Sequence, residues 1–172
     1  MDGASLYDDD TLAWSEAQAA ALRSLSGRRD LPNQLDLANV VEEIEDVGKS
    51  ELLAVERPIR TILVHLILLW ADPGARSMFG WRGEIAAWHV DVLRRISPTM
   101  RPKLDLDLVW RDSVRVACAN LAGWDETKAE ATRVALVGSG CPFDLAALTT
   151  EELDVSHAVA CLQAATRAGT GP

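Results

Sequence analysis

The stretch from Asp36 to Gly74 constrains the fold more than any other part of the sequence. Apolar side chains recur in it at helical spacing, and the acidic side chains fall between them. Asp36 is a good N-terminal cap, and a Pro-Gly pair ends the pattern. The repeating apolar residues are Leu37, Val40, Val41, Ile44, Val47, Leu52, Val55, Ile59, Ile62, Leu66 and Leu69. A helix of this length needs other helices to cover it, so the pattern predicts an all-α fold.

Two residues interrupt this long helical pattern. Gly48 lies on the apolar stripe, where a missing side chain lets another helix approach closely. Pro58 removes a backbone hydrogen bond, which predicts a bend or break between Ala54 and Pro58. The run after it, ILVHLILLW from Ile62 to Trp70, is apolar on nearly all sides. It is shorter than the roughly 20 residues that cross a bilayer, so we predict that it forms the buried centre of the fold.

Helical patterns also cover most of the remaining chain. One begins at Asp10 or Thr11 and ends by Gly27, and a shorter one covers residues 125–137. Others begin near Trp81 and after Pro102. Short connections predict an up-and-down bundle of four main helices with shorter C-terminal helices. A length of 172 residues fits a single helical-bundle domain over residues 1–172.

The charges are unevenly distributed along the chain. The net charge is −9, which makes nucleic acid and anionic membranes poor partners. Up to Arg60 there are 13 acidic and 6 basic residues, whereas Arg76 to Arg115 contains 8 basic and 5 acidic residues. This asymmetry can support a self-complementary interface. The start of the chain lacks the pattern of a signal peptide, and the three cysteines form no CxxC pair, so we expect a cytoplasmic protein without disulfides or thiolate zinc.

Several segments match a known pattern in order along the chain. They are YDDDTLAWSEAQAAALRSL, LDLANVVEEIEDVGKSE, the His65-Leu66 start of the apolar run, Trp81-Arg82, ISPTMRP and CPF. Together they resemble the bacterial domain-of-unknown-function family twenty-nine over about residues 7–154, and the EEIEDVG block is the most specific part. The resemblance implies a compact helical bundle in the cytoplasm. It implies no activity, because the family is named for lacking one.

The carboxylates between Glu42 and Asp46 are the densest cluster of candidate ligands. Carboxylates and histidines that project into a helical bundle can hold metals. This alternative would use Glu43, Glu45, His65 and His89 as metal ligands in a metal-dependent enzyme. The chain lacks the Glu-x-x-His pair of such sites, so we favour a solvated acidic face and no metal. His65, His89 and His157 lie on three elements, and a hydrogen-bonded core position is the favoured interpretation of each.

Glu51 presents a conflict within the helical pattern. Its phase places a carboxylate on the apolar stripe, where an unpaired charge is costly. Arg111 and Arg115 recur at i and i+4 on what the pattern predicts to be the apolar side of the fourth helix. We therefore predict that Glu51 pairs with an arginine, within the chain or across a dimer.

No motif in the sequence indicates a cofactor or a catalytic residue. The GSGCP segment lacks the Lys-Ser of a phosphate loop, and Cys141 has no neighbouring base. Most of the six tryptophans fit core positions, whereas Trp110 is the best candidate for an exposed partner contact. The sequence thus favours a non-catalytic protein–protein interaction module that self-associates. Its recognition surfaces would be the acidic second helix and the basic third and fourth helices.

Overall fold

The structure, a computed structural model, describes the backbone of residues 3–168 and the side chains of residues 6–167. Helices joined by short connections account for this part of the chain, and no strand occurs in it. The helices are α1 (Gly3–Asp9), α2 (Thr11–Arg23), α3 (Leu37–Ala71), α4 (Met78–Arg95), α5 (Leu106–Ala122), α6 (Glu126–Leu136), α7 (Leu145–Leu148) and α8 (Val155–Ala168). A short 3-10 helix, Arg101–Lys103, precedes α5. The predicted all-α class is confirmed; the arrangement of four main helices stays a prediction.

Aspartate side chains cap the first turn of six of these helices. In each, a carboxylate oxygen accepts a hydrogen bond from the amide three residues later, which satisfies one free donor of the first turn. The six caps are Asp10 on α2, Asp36 on α3, Asp105 on α5, Asp125 on α6, Asp144 on α7 and Asp154 on α8. At Asp125 the hydrogen bond from the Lys128 amide lowers the pKa of the carboxyl group. The caps of α2, α3, α5 and α6 lie close to the helix starts that the sequence predicts.

The chain divides into two compact units that share helix α3. The first unit comprises Met1–Ala54 and Ile96–Leu104, and the second comprises Val55–Arg95 and Asp105–Pro172. The division within α3 falls one turn before Pro58. Helix α3 is nevertheless continuous through this proline, so the predicted break is wrong. The predicted bend stays a prediction.

In the first unit, α2 packs against the N-terminal half of α3 at Gly48. A Cβ atom added to Gly48 would lie 2.9 Å from the Leu12 Cδ1 atom and would also collide with the Ser15 hydroxyl group. The predicted close approach at this glycine is confirmed. Because α2 covers the side of α3 that contains Gly48, Val40 and Val47 remain 36% and 38% exposed. Their predicted place on the buried stripe is wrong.

In the second unit, the C-terminal half of α3 is the centre of the core. Its apolar residues from Val55 to Leu69 are at most 5% exposed. The predicted burial of the ILVHLILLW run is therefore confirmed up to Leu69. Helix α5 packs against this segment, because the buried Ser113 hydroxyl group donates to the Arg60 carbonyl at 3.3 Å. None of the helices in residues 3–168 is long and apolar enough to cross a membrane.

Trp110 belongs to the core of the second unit. Its side chain is 1% exposed, its Nε1 atom donates to the Ser139 hydroxyl group at 3.3 Å, and its ring meets the ring of Phe143 edge-on. The prediction of an exposed partner contact at Trp110 is wrong. The buried face of α5 contains Trp110, while the apolar side chain of Leu108 on the same helix is 43% exposed. Trp124, which is 52% exposed, is the tryptophan that reaches solvent most.

Candidate functional site

A cleft of about 440 Å³ lies between α5 and α6 in the second unit. Three arginines line it: Arg111 and Arg115 from α5, and Arg133 from α6. Its floor is apolar and includes Val114 and Leu136, which are both buried. We call this site, which also includes Cys118, Ala119, Val137 and Gly138, the arginine cleft. It combines guanidinium groups with an apolar surface, so it suits an anionic group on an apolar body.

The two arginines of α5 lie one turn apart at the edge of its buried face. That face contains Trp110, Ser113, Val114, Ala117 and Leu121, while Arg111 and Arg115 are exposed. Their predicted place on the apolar side of the helix is wrong, because contacts with other helices cover a neighbouring sector of α5. This position leaves both guanidinium groups free to reach a ligand while their stems border the apolar floor.

The charges of the arginine cleft are only partly compensated. Arg115 has Asp112 at 3.4 Å, and Arg133 pairs with Glu130, each within one turn of its own helix. In the part of the second unit that the structure describes, Arg111 has no carboxylate partner. Exposed pairs within a helix contribute little to stability. A docked carboxylate can therefore compete with them, and a guanidinium group can bind it with two parallel hydrogen bonds.

Cys118 lies on the floor of the arginine cleft and does not make it a nucleophilic site. Burial raises the pKa of this thiol, although the nearby charge of Arg133 opposes the rise. A buried thiol with a raised pKa stays protonated at neutral pH and behaves as a small apolar side chain. Cys118 therefore does not supply the cleft with a reactive thiolate.

The residues of the metal alternative are separated between the two units. Glu43 and Glu45 belong to the first unit, where Glu43 is exposed and Glu45 pairs with Arg23. His65 and His89 belong to the second unit. Within the described residues, no three His, Cys, Asp or Glu side chains form a group that could hold a metal ion. The structure therefore gives this alternative no support.

His65 and His89 each have one buried ring nitrogen without a hydrogen-bond partner among the described residues. The Nε2 atom of His65 lies 3.1 Å from a carboxylate oxygen of Glu84, while its Nδ1 atom is buried without a partner among the described residues. His89 is 5% exposed, and its Nε2 atom likewise has no partner there. Burial lowers the pKa of His65, and the charge of Glu84 opposes this in part. His65 is therefore held in its neutral form more strongly than a free histidine.

The lowered pKa of His65 predicts a specific pH dependence of stability. A folded-state pKa below the unfolded value disfavours protonation of the folded chain. The contribution of neutral His65 to the free energy of unfolding is fully present above the ordinary pKa of 6.5. It is lost progressively as the pH falls below that value. We expect His65→Gln to lose less stability than the wild type between neutral and mildly acidic pH. Urea unfolding at both pH values tests this, with His157→Gln as the exposed control; parallel losses in wild type and His65→Gln contradict it.

Glu51 is half-buried on α3 in the first unit. Arg111 and Arg115, its predicted partners, belong to the second unit and are exposed. The pairing of Glu51 with an arginine, within the chain or across a dimer, stays a prediction.

A second cleft, of about 350 Å³, lies between the segment 142–154 and α8. It contains His157 and Cys161, whose Nε2 and Sγ atoms are 3.5 Å apart. The carboxylates of Asp144, Glu152 and Asp154 also line it. The core position that the sequence favours for His157 is wrong, because its side chain is exposed on α8. The signal for this pair is the i, i+4 spacing of the two residues on one helix.

These features define a small all-α protein with a basic cleft on its surface. The chain belongs to the family described as domain of unknown function DUF29, which it matches over residues 6–153. The resemblance to family twenty-nine is thus confirmed. The chain is also similar to an alpha-helical protein of unknown function from Rhodospirillum rubrum, at 32% identity and a TM-score of 0.72. That similarity covers 96% of this chain and 98% of the other. No curated protein matches the sequence.

Proposed function

We propose that this chain is a non-catalytic, cytoplasmic interaction module that self-associates through the arginine cleft. The observation that carries the proposal is the cleft itself, in which Arg111, Arg115 and Arg133 surround an apolar floor. In a chain with a net charge of −9, such a basic surface is a local exception. It therefore marks a place where an acidic surface is bound.

A second copy of the chain offers a surface of the opposite character on α3. Glu42, Glu43 and Asp46 are exposed there. Leu53 lies in phase with Glu42 and Asp46, and Val47 lies one turn after Glu43 at the edge of the same surface; Val47 is 38% exposed and Leu53 is 43% exposed. We call these five residues the acidic face. It presents carboxylates together with apolar side chains, as the arginine cleft presents guanidinium groups together with an apolar floor.

The spacing of the charges also matches between the two surfaces. Glu42 and Asp46 are one turn apart on α3, and Arg111 and Arg115 are one turn apart on α5. Residues at this spacing are about 5–6 Å apart at their Cβ atoms. Asp46 is paired with Lys49 at 2.6 Å on its own helix, but exposed pairs of this kind contribute little to stability. A guanidinium group of the partner can therefore compete with Lys49, and each arginine can face one acid of the partner helix. Under twofold symmetry, each copy contributes one acidic face and one arginine cleft, so the contact forms twice.

Charge reversal tests this interface. We expect a dimer of the wild type in sedimentation velocity at low salt that weakens as salt is added. Reversing the cleft (Arg111→Glu with Arg115→Glu) or the acidic face (Glu42→Arg with Asp46→Arg) places like charges opposite each other, which costs several kcal/mol. Because about 1.4 kcal/mol is a factor of ten in affinity, each double variant should raise the dimer Kd at least about tenfold.

Mixing the two variants distinguishes this contact from a general charge effect. In a heterodimer of the two reversed chains, the reversed cleft meets the reversed acidic face and the two unchanged surfaces meet each other, so opposite charges meet at both contacts. The mixture should therefore dimerise more tightly than either variant alone. Arg28→Glu with Arg29→Glu, on an exposed loop outside both surfaces, is the matched control and should dimerise as the wild type does. A wild type that is monomeric at its highest soluble concentration would refute the proposal. So would a mixture that fails to associate.

A further inference from the structure

We propose that His157 and Cys161 form a chelating site for a soft divalent cation such as Zn²⁺. The two residues lie one turn apart on α8 and face the cleft between α8 and the segment 142–154. This site lies apart from the arginine cleft and does not depend on self-association.

The distance between the two candidate ligand atoms fits tetrahedral coordination. Zinc binds a thiolate sulfur at about 2.3 Å and an imidazole nitrogen at about 2.0–2.1 Å. Two such ligands at a tetrahedral angle are separated by about 3.5 Å. The Sγ atom of Cys161 and the Nε2 atom of His157 are 3.5 Å apart. An ion can therefore bridge these atoms without any movement of the helix.

The surroundings of the pair favour a cation and allow it to enter. His157 is exposed and Cys161 is half-buried, so both ligand atoms border a cleft that is open to solvent. Carboxylates of Asp144, Glu152 and Asp154 line the same cleft and attract positive charge. Asp154 also accepts hydrogen bonds from the Ser156 and His157 amides at 2.9 and 3.0 Å, which holds the first turn of α8 in place.

The protein supplies two ligands, because no group of three forms among the described residues. Water completes the coordination, which makes the bound ion exchangeable. The Cys161 thiol loses its proton to solvent when the metal binds, so the apparent affinity rises with pH. The other two thiols are poor competitors: Cys118 is buried, and burial raises the pKa of Cys141 to about 11.

Titration of the metal-free chain with Cd²⁺ tests the site, because a cadmium–thiolate bond absorbs in the ultraviolet. We expect the absorption to saturate at one Cd²⁺ per chain and to be reversed by excess Zn²⁺. Cys161→Ser should abolish it, and His157→Gln should weaken the affinity at least tenfold. Cys141→Ser and Cys118→Ser should titrate as the wild type does. Unchanged circular dichroism confirms that each variant is folded.

Two results would overturn the inference. One is a wild-type chain without saturable absorption at stoichiometric Cd²⁺, or a Cys161→Ser variant that retains it. The other is a His157→Gln variant with wild-type affinity, since this would reduce the site to a single thiol without chelation.

Discussion

Replacing Trp110 with alanine should lower the free energy of unfolding by about 3–5 kcal/mol, the usual cost of removing a large buried aromatic side chain. The indole is 1% exposed and packs edge-on against Phe143. Its removal leaves a cavity, and it also leaves the Ser139 hydroxyl group without the donor at 3.3 Å. Urea unfolding followed by circular dichroism measures the loss.

Trp124→Ala is the matched control for this prediction. Trp124 is 52% exposed, and its main aromatic contact is a stacked ring of Trp81 at 6.1 Å. An aromatic pair contributes about 0.5–1.5 kcal/mol beyond the burial of area, so the control should lose about 1 kcal/mol. Equal losses in the two variants would contradict the placement of Trp110 in the core.

Alanine at Gly48 should destabilise the chain, although alanine is normally favoured over glycine within a helix. The added methyl group would collide with the Ser15 hydroxyl group and lie 2.9 Å from Leu12. Ser15 is 1% exposed and donates to the Leu12 carbonyl at 2.8 Å, so it has little room to move. Overpacking of this kind costs about 1–3 kcal/mol.

Alanine at Gly83 should stabilise the chain, in contrast to alanine at Gly48. Gly83 lies within α4, and no atom would come within 4 Å of its added Cβ atom. The variant should gain about 0.5–1 kcal/mol, because alanine loses less conformational entropy than glycine in a helix. Denaturant unfolding of both variants tests the pair. A Gly48→Ala variant that is as stable as the wild type, or more stable, would show that α2 does not pack closely at Gly48.

Local signals in the sequence were sufficient to predict most of the longer helices, but not α1 or the bounds of α8. The apolar repeat and the aspartate caps place α2, α3, α5 and α6 close to their observed bounds. The close approach at Gly48 was also predictable, because a glycine on an apolar helical stripe lacks the side chain that would hold a second helix away. Pro58 shows the limit of this reasoning. A proline disfavours a helix locally, but burial of the surrounding segment outweighs that cost and keeps α3 continuous.

The orientation of each helix about its axis was harder to predict. Helical spacing in α5 allows a buried face that contains either Leu108 or Trp110. Only the packing of α5 against α3 and Phe143 places Trp110 on the buried face. The arginine cleft has the same origin. The sequence shows Arg111 and Arg115 as a pair, but the contribution of Arg133 depends on how α6 packs against α5. Periodicity alone carries no information about such contacts between elements.

The first unit is built from two separate segments of the chain, which affects how it folds during synthesis. This unit comprises two segments, Met1–Ala54 and Ile96–Leu104, which are far apart in the chain. A contact between them joins Lys103 and Glu16, 87 positions apart. At the usual 5–20 residues per second, the ribosome needs roughly 2–8 s to make the intervening 41 residues. Helices α1 and α2 therefore leave the ribosome several seconds before residues 96–104, the part of the first unit that follows α4, have been made.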